Sequence, residues 1–148
     1  MYRSEIAAKA GESMRIMAID YGDRRTGIAV SDLLGTLAGE TWVIQEWDPG
    51  RLSRTIADAA RERGVERLVL GLPRNMDGTE GPRAEKSRAL AELLRADSGL
   101  EVILWDERRT TVDAHRILTD AGRHGKKRKN TVDAVAASLI LEGYLMSL

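Results

Sequence analysis

The sequence has no cysteine, which excludes disulfides, zinc–thiolate sites and thiol nucleophiles. Histidine is nearly as scarce, with only His115 and His124, so a histidine-rich transition-metal site is not expected. A metal here would have to be held by oxygen, which points to Mg²⁺ or Mn²⁺. No apolar run is long enough to span a membrane. Residues 1–13 are polar and lack the apolar centre of a secretory signal, so a cytoplasmic location is expected. There is also no excess of either charge: 23 basic and 23 acidic residues give a formal net charge of zero. The molecule as a whole therefore does not advertise a nucleic-acid partner. Neither an internal repeat nor a low-complexity linker interrupts the chain.

What is present suits one globular domain. The 148 residues are 43% apolar and 31% charged, enough for a core and not the composition of a disordered chain. Residues 1–13 read as an extension and residues 14–148 as the folded domain. Ile16-Met17-Ala18-Ile19 is a continuous apolar run, expected of a strand buried on both faces. Strands are also expected over residues 26–31, 37–44, 68–72 and 102–105. The short links between the first three suggest an antiparallel meander.

A helix follows Asp48-Pro49-Gly50, with Leu52, Ile56, Ala59 and Ala60 on one face and Gly64 as its stop. A second starts near Arg83, with Ser87, Leu90, Ala91 and Leu94 inward. A third is expected behind Thr110 and Asp113, which resemble a capping box, with Gly122 as its stop. The last runs from Asn130, with Val132, Val135, Ala136, Leu139, Ile140 and Gly143 as its buried stripe. The order βββαβαβαα implies an α/β fold: a mixed five-stranded sheet, three antiparallel strands and then parallel ones, with helices on both faces.

Three acidic segments stand out: Asp20-Tyr21-Gly22, Asp106-Glu107-Arg108 and Val132-Asp133-Ala134. Ligands in open α/β sheets gather at the carboxyl ends of parallel strands, where Asp20 and Glu107 lie. If their strands are neighbours, one metal is within reach of both. Asp133 falls at the border of the last helix's stripe, in a first turn that favours an ionised carboxylate. Clustered carboxylates repel one another unless cations join them. Two divalent ions so held can serve in-line phosphodiester displacement. Singly, each acid reads as a turn former, ion pair or cap; together, at matched ends, they read as a site. Strand alternation turns Asp106 away, as a turn or supporting group.

Basic residues flank every member. Arg24 and Arg25 follow Asp20, Arg108 and Arg109 follow Glu107, and the block containing Lys126, Lys127, Arg128 and Lys129 precedes Asp133. Such groups position phosphate without reading sequence. The loop over residues 73–82, with Arg74, reads as a mobile segment suited to clamping substrate. Trp42 and Trp105 read as sheet or core residues, and Trp47 is open between structure and base stacking.

Four ordered motifs then resemble the YqgF (RuvX) family. These are Asp20-Tyr21-Gly22 with Arg25-Thr26-Gly27-Ile28-Ala29-Val30-Ser31-Asp32; Gly71-Leu72-Pro73-Arg74-Asn75-Met76-Asp77-Gly78-Thr79-Glu80-Gly81; Asp106-Glu107-Arg108-Arg109-Thr110-Thr111; and Lys126-Lys127-Arg128-Lys129 with Asp133-Ala134-Val135-Ala136-Ala137. The resemblance implies a ribonuclease H-like fold, with Asp20, Glu107 and Asp133 as catalytic, metal-holding acids. Members carry the label Holliday-junction resolvase and are also described as nucleases that mature the 5′ end of pre-16S ribosomal RNA. Arg109-Thr110 departs from the family's more usual apolar residue and serine.

A metal-dependent nuclease acting on structured RNA is thus the leading expectation, as monomer or homodimer. A junction resolvase, which needs a dimer with two sites, and a non-catalytic nucleic-acid-binding module are the alternatives. An actin-like ATPase would need a second domain and a second, similar loop, for which the 148 residues have neither the length nor the repeat.

Overall fold

Alternate residues of the first strand, β1 (Ile16–Asp20), feed two separate cores. Met17 and Ile19 join one, while Ile16 and Ala18 join the other. An unbroken apolar run does this when its sheet is covered on both sides. The computed structural model describes the backbone of residues 14–32, 38–110 and 125–148, with the side chains at 38, 109, 110 and 125–133 left out.

The other strands are β2 (Arg25–Ser31), β3 (Ala38–Gln45), β4 (Arg67–Leu72) and β5 (Glu101–Asp106). They form one five-stranded sheet in the order β3-β2-β1-β4-β5. β1 pairs antiparallel with β2, and β2 with β3, as the short links require. β1 and β4, then β4 and β5, are parallel. The carboxyl ends of β1, β4 and β5 therefore share one edge, where ligands of such sheets collect.

Two helices cover one face. In α1 (Pro49–Glu62), the Asp48 side chain caps the start by accepting from Arg51 N–H at 2.9 Å. Pro49 occupies a first-turn position whose N–H has no helical partner to lose. Leu52, Ile56 and Ala60 bury against the sheet, and Gly64, with φ of 68°, takes the chain out. In α2 (Pro82–Ser98), Ala84, Ser87, Leu90, Ala91 and Leu94 are buried. Gly99 ends it in a left-handed conformation, with φ of 70°. A Leu→Ala change at Leu70 or Leu90, both fully buried, would cost about 2–5 kcal/mol.

The long helix α3 (Gly125–Met146) covers the opposite face. It starts at Gly125 rather than Asn130, so Lys126–Lys129 are helical and not a preceding loop. Lysine and arginine are good helix formers, and nothing between 125 and 130 stops a helix. Its buried stripe is partly rephased: Leu139 and Ile140 are buried as expected, Ala137, Ile140, Leu141 and Tyr144 pack on the sheet, and Val135, Ala136 and Gly143 are only half-buried. Apolar residues surround this helix, so spacing alone did not single out the buried side. The helix expected over residues 110–122 lies outside the described residues, except that Thr110 ends a short 3₁₀ helix (Glu107–Thr110).

Candidate active site

Asp20 is the last residue of β1, opposite Gly27 of β2. The turn that follows is tight. A Cβ on Gly22 would strike the carbonyl oxygen of Arg25, so glycine is needed there for close approach rather than for an unusual φ. By alternation Asp20 shares the face of Ile16 and Ala18, the side covered by α3. Glu107 opens the 3₁₀ helix directly after β5. Trp105, two residues earlier, belongs to that same core.

The condition that the two strands be neighbours is not met, because β4 runs between β1 and β5. Gly71 of β4 bridges the gap by having no side chain. A Cβ built there would lie 2.8 Å from Glu107 Oε2, 3.0 Å from Glu107 Cδ and 2.8 Å from Ile140 Cδ1. The Glu107 carboxyl thus lies over the bare backbone of the intervening strand, with α3 above it. Burial pushes its pKa up to about 7; the negative charge of Asp20 adds to the rise, Asp106 adds less, and Arg83 opposes it. Asp20 and Glu107 therefore feel each other across β4. Among the described residues no set of three acidic or histidine side chains gathers that could hold a metal ion. Asp133, the expected third acid, lies in α3 one turn before Ala137, and its side chain is outside the described residues.

Asp106 has the supporting place expected of it. Its carboxylate accepts from the Arg108 backbone N–H at 3.0 Å and binds the Arg108 guanidinium at 2.7–3.1 Å. That guanidinium holds the Asp106 carboxyl below its ordinary value. Arg108 also donates to the Met76 carbonyl at 3.3 Å. It therefore ties the 3₁₀ helix to the loop after β4, a role that its sequence position did not reveal.

The loop itself is a closed hairpin rather than a loose segment. Asn75 N–H donates to Thr79 O and Gly78 N–H to Asn75 O, each at 2.8 Å. Asp77 accepts from both the backbone N–H and the hydroxyl of Thr79. Gly78 takes φ of 90°, where a larger residue would be strained. Glu80 pairs with Arg88 at 2.7 Å and with Arg74 at 3.4 Å, anchoring the hairpin's return to α2.

The remaining predicted contacts divide. Arg24 precedes β2 and Arg25 opens it, and the Arg24 guanidinium lies over the Trp47 ring at 4.9 Å, in the wall of a cleft whose other residues pack toward α1 and α2. Trp42 sits in β3 beneath Arg63, and Trp105 is buried edge-on to Tyr144, both structural. Arg109, Lys126, Lys127, Arg128 and Lys129 belong to helical backbone whose side chains are outside the described residues. Residues 111–124, with His115 and His124, are outside them altogether. Sequence reasoning missed Gly71 and Arg83. A glycine inside an otherwise apolar strand was the available signal for the first.

The sequence profile of the family described as "RuvX: Holliday junction resolvase" matches residues 14–147. The chain belongs to the RuvX family. Among its relatives, a protein of Halothermothrix orenii is 47% identical over 132 residues, covering 89% of this chain and 94% of that one. One from Listeria monocytogenes is 46% identical over 135 residues, with 89% and 97% covered. Both bear the provisional name pre-16S rRNA nuclease.

Among solved structures, Thermus thermophilus RuvC in complex with Holliday junction substrate aligns with a TM-score of 0.61 at 11% identity, over 90% of this chain and 96% of that one. The fowlpox virus Holliday junction resolvase aligns with a TM-score of 0.58 at 16% identity, over 91% and 100%. The fold is thus the ribonuclease H-like fold expected of the RuvX family, shared here with RuvC-like proteins. Among the described residues, no helix is long and apolar enough to cross a membrane.

Proposed function

We propose that residues 14–148 form a divalent-metal-dependent nuclease that hydrolyses phosphodiester bonds in the 5′-end maturation of pre-16S ribosomal RNA. The observation that carries this reading is the acidic pair at the sheet edge, with Glu107 laid over Gly71 and pushed up by burial and by Asp20. Two carboxylates that oppose each other's ionisation fit a divalent cation, which would relieve both burial and repulsion. Asp20, Glu107 and Asp133 would hold Mg²⁺ or Mn²⁺, in a two-ion arrangement. Bound there, the ions would supply the positive charge that an in-line displacement at phosphorus needs.

The protein's own part is positioning. Gly71 and Gly22 fix where the carboxylates stand. Arg24, Arg25, Arg74, Arg109, Lys126, Lys127, Arg128 and Lys129 would grip the substrate's phosphates without reading its sequence. Arg108, expected in the same role, is engaged by Asp106 and Met76 and would act chiefly through the loop. The names of the relatives favour ribosomal RNA, and a cytoplasmic site of action goes with that substrate.

The resolvase reading is second, favoured by the fold shared with RuvC. It requires a homodimer with two sites, whereas precursor trimming is open to a monomer. Purified protein would be compared on pre-16S rRNA and on four-way junction DNA, with Mg²⁺ or Mn²⁺. Cleavage of the RNA, lost by about 10³-fold or more in Asp20→Asn and Glu107→Gln, is the expected result. Preferential junction cleavage by a dimer would move the assignment to the second reading. Full activity in both variants would remove the site, and binding without cleavage would leave a non-catalytic module.

A further inference from the structure

A cleft of about 280 Å³ opens on the α1 and α2 side of the sheet, lined by Tyr21, Asp23, Trp47, Pro49, Lys86 and Leu90, with Ala89. Tyr21 follows Asp20 directly, and its ring packs against the core beneath α1 and α2. Asp20 takes the α3 face by alternation, so one peptide step separates the acid from the cleft. The start of α1, the start of α2 and the end of β3 converge there.

Trp47 is the distinctive wall. It is 68% exposed, an unusual state for a large aromatic residue. Its backbone is nonetheless fixed: Glu46 Oε2 accepts from the N–H groups of Trp47 and Asp48 at 3.0 Å each and from Arg51 Nε at 3.3 Å. Arg24 adds a cation to the same ring at 4.9 Å. Lys86 stands on the opposite rim, 3.8 Å from Asp23. The result is an exposed aromatic ring held in place, with Arg24 over one face and the other left for stacking, Lys86 as a cation on the rim, and Asp23 and the Tyr21 hydroxyl for polar edges.

We infer that this cleft is a nucleobase subsite, in which an unpaired base next to the scissile phosphate stacks on Trp47. The inference rests on the nuclease reading and adds a requirement for local single-strandedness at the cut. A peptide partner fits less well. The cleft has mixed charge and room for one planar group, and cationic rims favour a phosphate chain. A base inside a duplex is covered on both faces by its neighbours and cannot present one to Trp47, so discrimination between single strands and duplex interiors is built into the contact. Such stacking tolerates any base.

The test uses the full chain carrying Asp20→Asn, so that bound strands stay intact, with Mg²⁺ present. A short single-stranded RNA containing 2-aminopurine and its blunt duplex are titrated separately. Trp47→Ala in this background should weaken single-strand binding roughly tenfold, abolish most of the 2-aminopurine quenching, and leave duplex binding unchanged. Trp47→Phe should restore the single-strand affinity. Circular dichroism confirms folding, which exposure of the side chain predicts to be unaffected. Equal affinity of Trp47→Ala and its parent for the single strand, or equal losses on both forms, would overturn the subsite alone. If the parent binds neither RNA form, the nuclease reading fails and the subsite with it.

Discussion

The carboxyl of Glu107 rests on the backbone of Gly71, its Oε2 2.8 Å from the point a Cβ would occupy. This contact carries a carboxyl from the end of β5 across the strand that separates it from β1. β4 keeps β1 and β5 apart, and only a residue without a side chain lets the acid from β5 lie across it. The position is therefore under a chemical constraint as well as a packing one.

Gly71→Ala tests that constraint. The added methyl meets Glu107 and, at 2.8 Å, Ile140 Cδ1. Overpacking should cost about 1–3 kcal/mol in denaturant unfolding. Displacement of Glu107 should lower divalent-ion affinity by roughly 10–100-fold, the usual effect of disturbing the support of a ligand. Adding Ile140→Val should recover stability, because it trims the apolar neighbour, while ion affinity stays low. Recovery of both together would mean that Glu107 tolerates the methyl.

The raised pKa of Glu107 predicts an unusual pH dependence. A carboxyl that holds its proton to about pH 7 when folded, against about 4.3 when unfolded, binds more protons in the folded state over that interval. Stability of the metal-free protein should therefore fall as pH rises from about 4.3 to 7, by the linkage relation. The cost is complete above 7 and absent below 4.3. Glu107→Gln should stabilise the metal-free protein at pH 8 by roughly 1–3 kcal/mol and do little at pH 4. Mg²⁺ should stabilise the unmodified protein more at pH 8 than at pH 5. Urea melts at the three pH values, with chelator or Mg²⁺, read out the sign.

Asp106 and Glu107 are adjacent, yet their substitutions should part company. Asp106→Asn loosens the Arg108 guanidinium and its tie to the Met76 carbonyl. The exposed ion pair itself is worth at most about 1 kcal/mol. Activity should fall several-fold with divalent-ion affinity retained, and amide exchange should quicken in the hairpin at Asn75 and Thr79. Glu107→Gln should lose ion affinity and leave hairpin exchange unchanged. Loss of ion affinity in Asp106→Asn would instead make Asp106 a direct ligand.

Much of this architecture was readable in the sequence because the period-two and 3.6-residue signals were strong. The unbroken run Ile16–Ile19 announced a strand buried on both faces, and Asp48-Pro49-Gly50 announced the start of a helix. The sheet order, and with it the separation of β1 from β5, was not readable, since pairing between distant strands leaves no mark in either one. Gly71 carried its meaning only through Glu107, a partner far along the chain. The phase of α3 was obscured by apolar residues on several sides: Leu139 and Ile140 are buried as expected, but Ala137, Leu141 and Tyr144 join them in place of Val135, Ala136 and Gly143.

Salt dependence should separate cations that meet phosphate from those spent within the protein. Each duplex phosphate neutralised contributes a slope of about −0.9 in log affinity against log salt, and each single-strand phosphate about −0.7. Lys127→Ala and Arg24→Ala should each make the slope shallower by close to one such increment. Arg108→Ala should change it less, because its guanidinium already binds Asp106 at 2.7 Å and the Met76 carbonyl at 3.3 Å. Titrations of the Asp20→Asn protein at several KCl concentrations supply the slopes. A whole increment removed by Arg108→Ala, with the slope of Lys127→Ala unchanged, would move the phosphate track away from α3 and onto the hairpin.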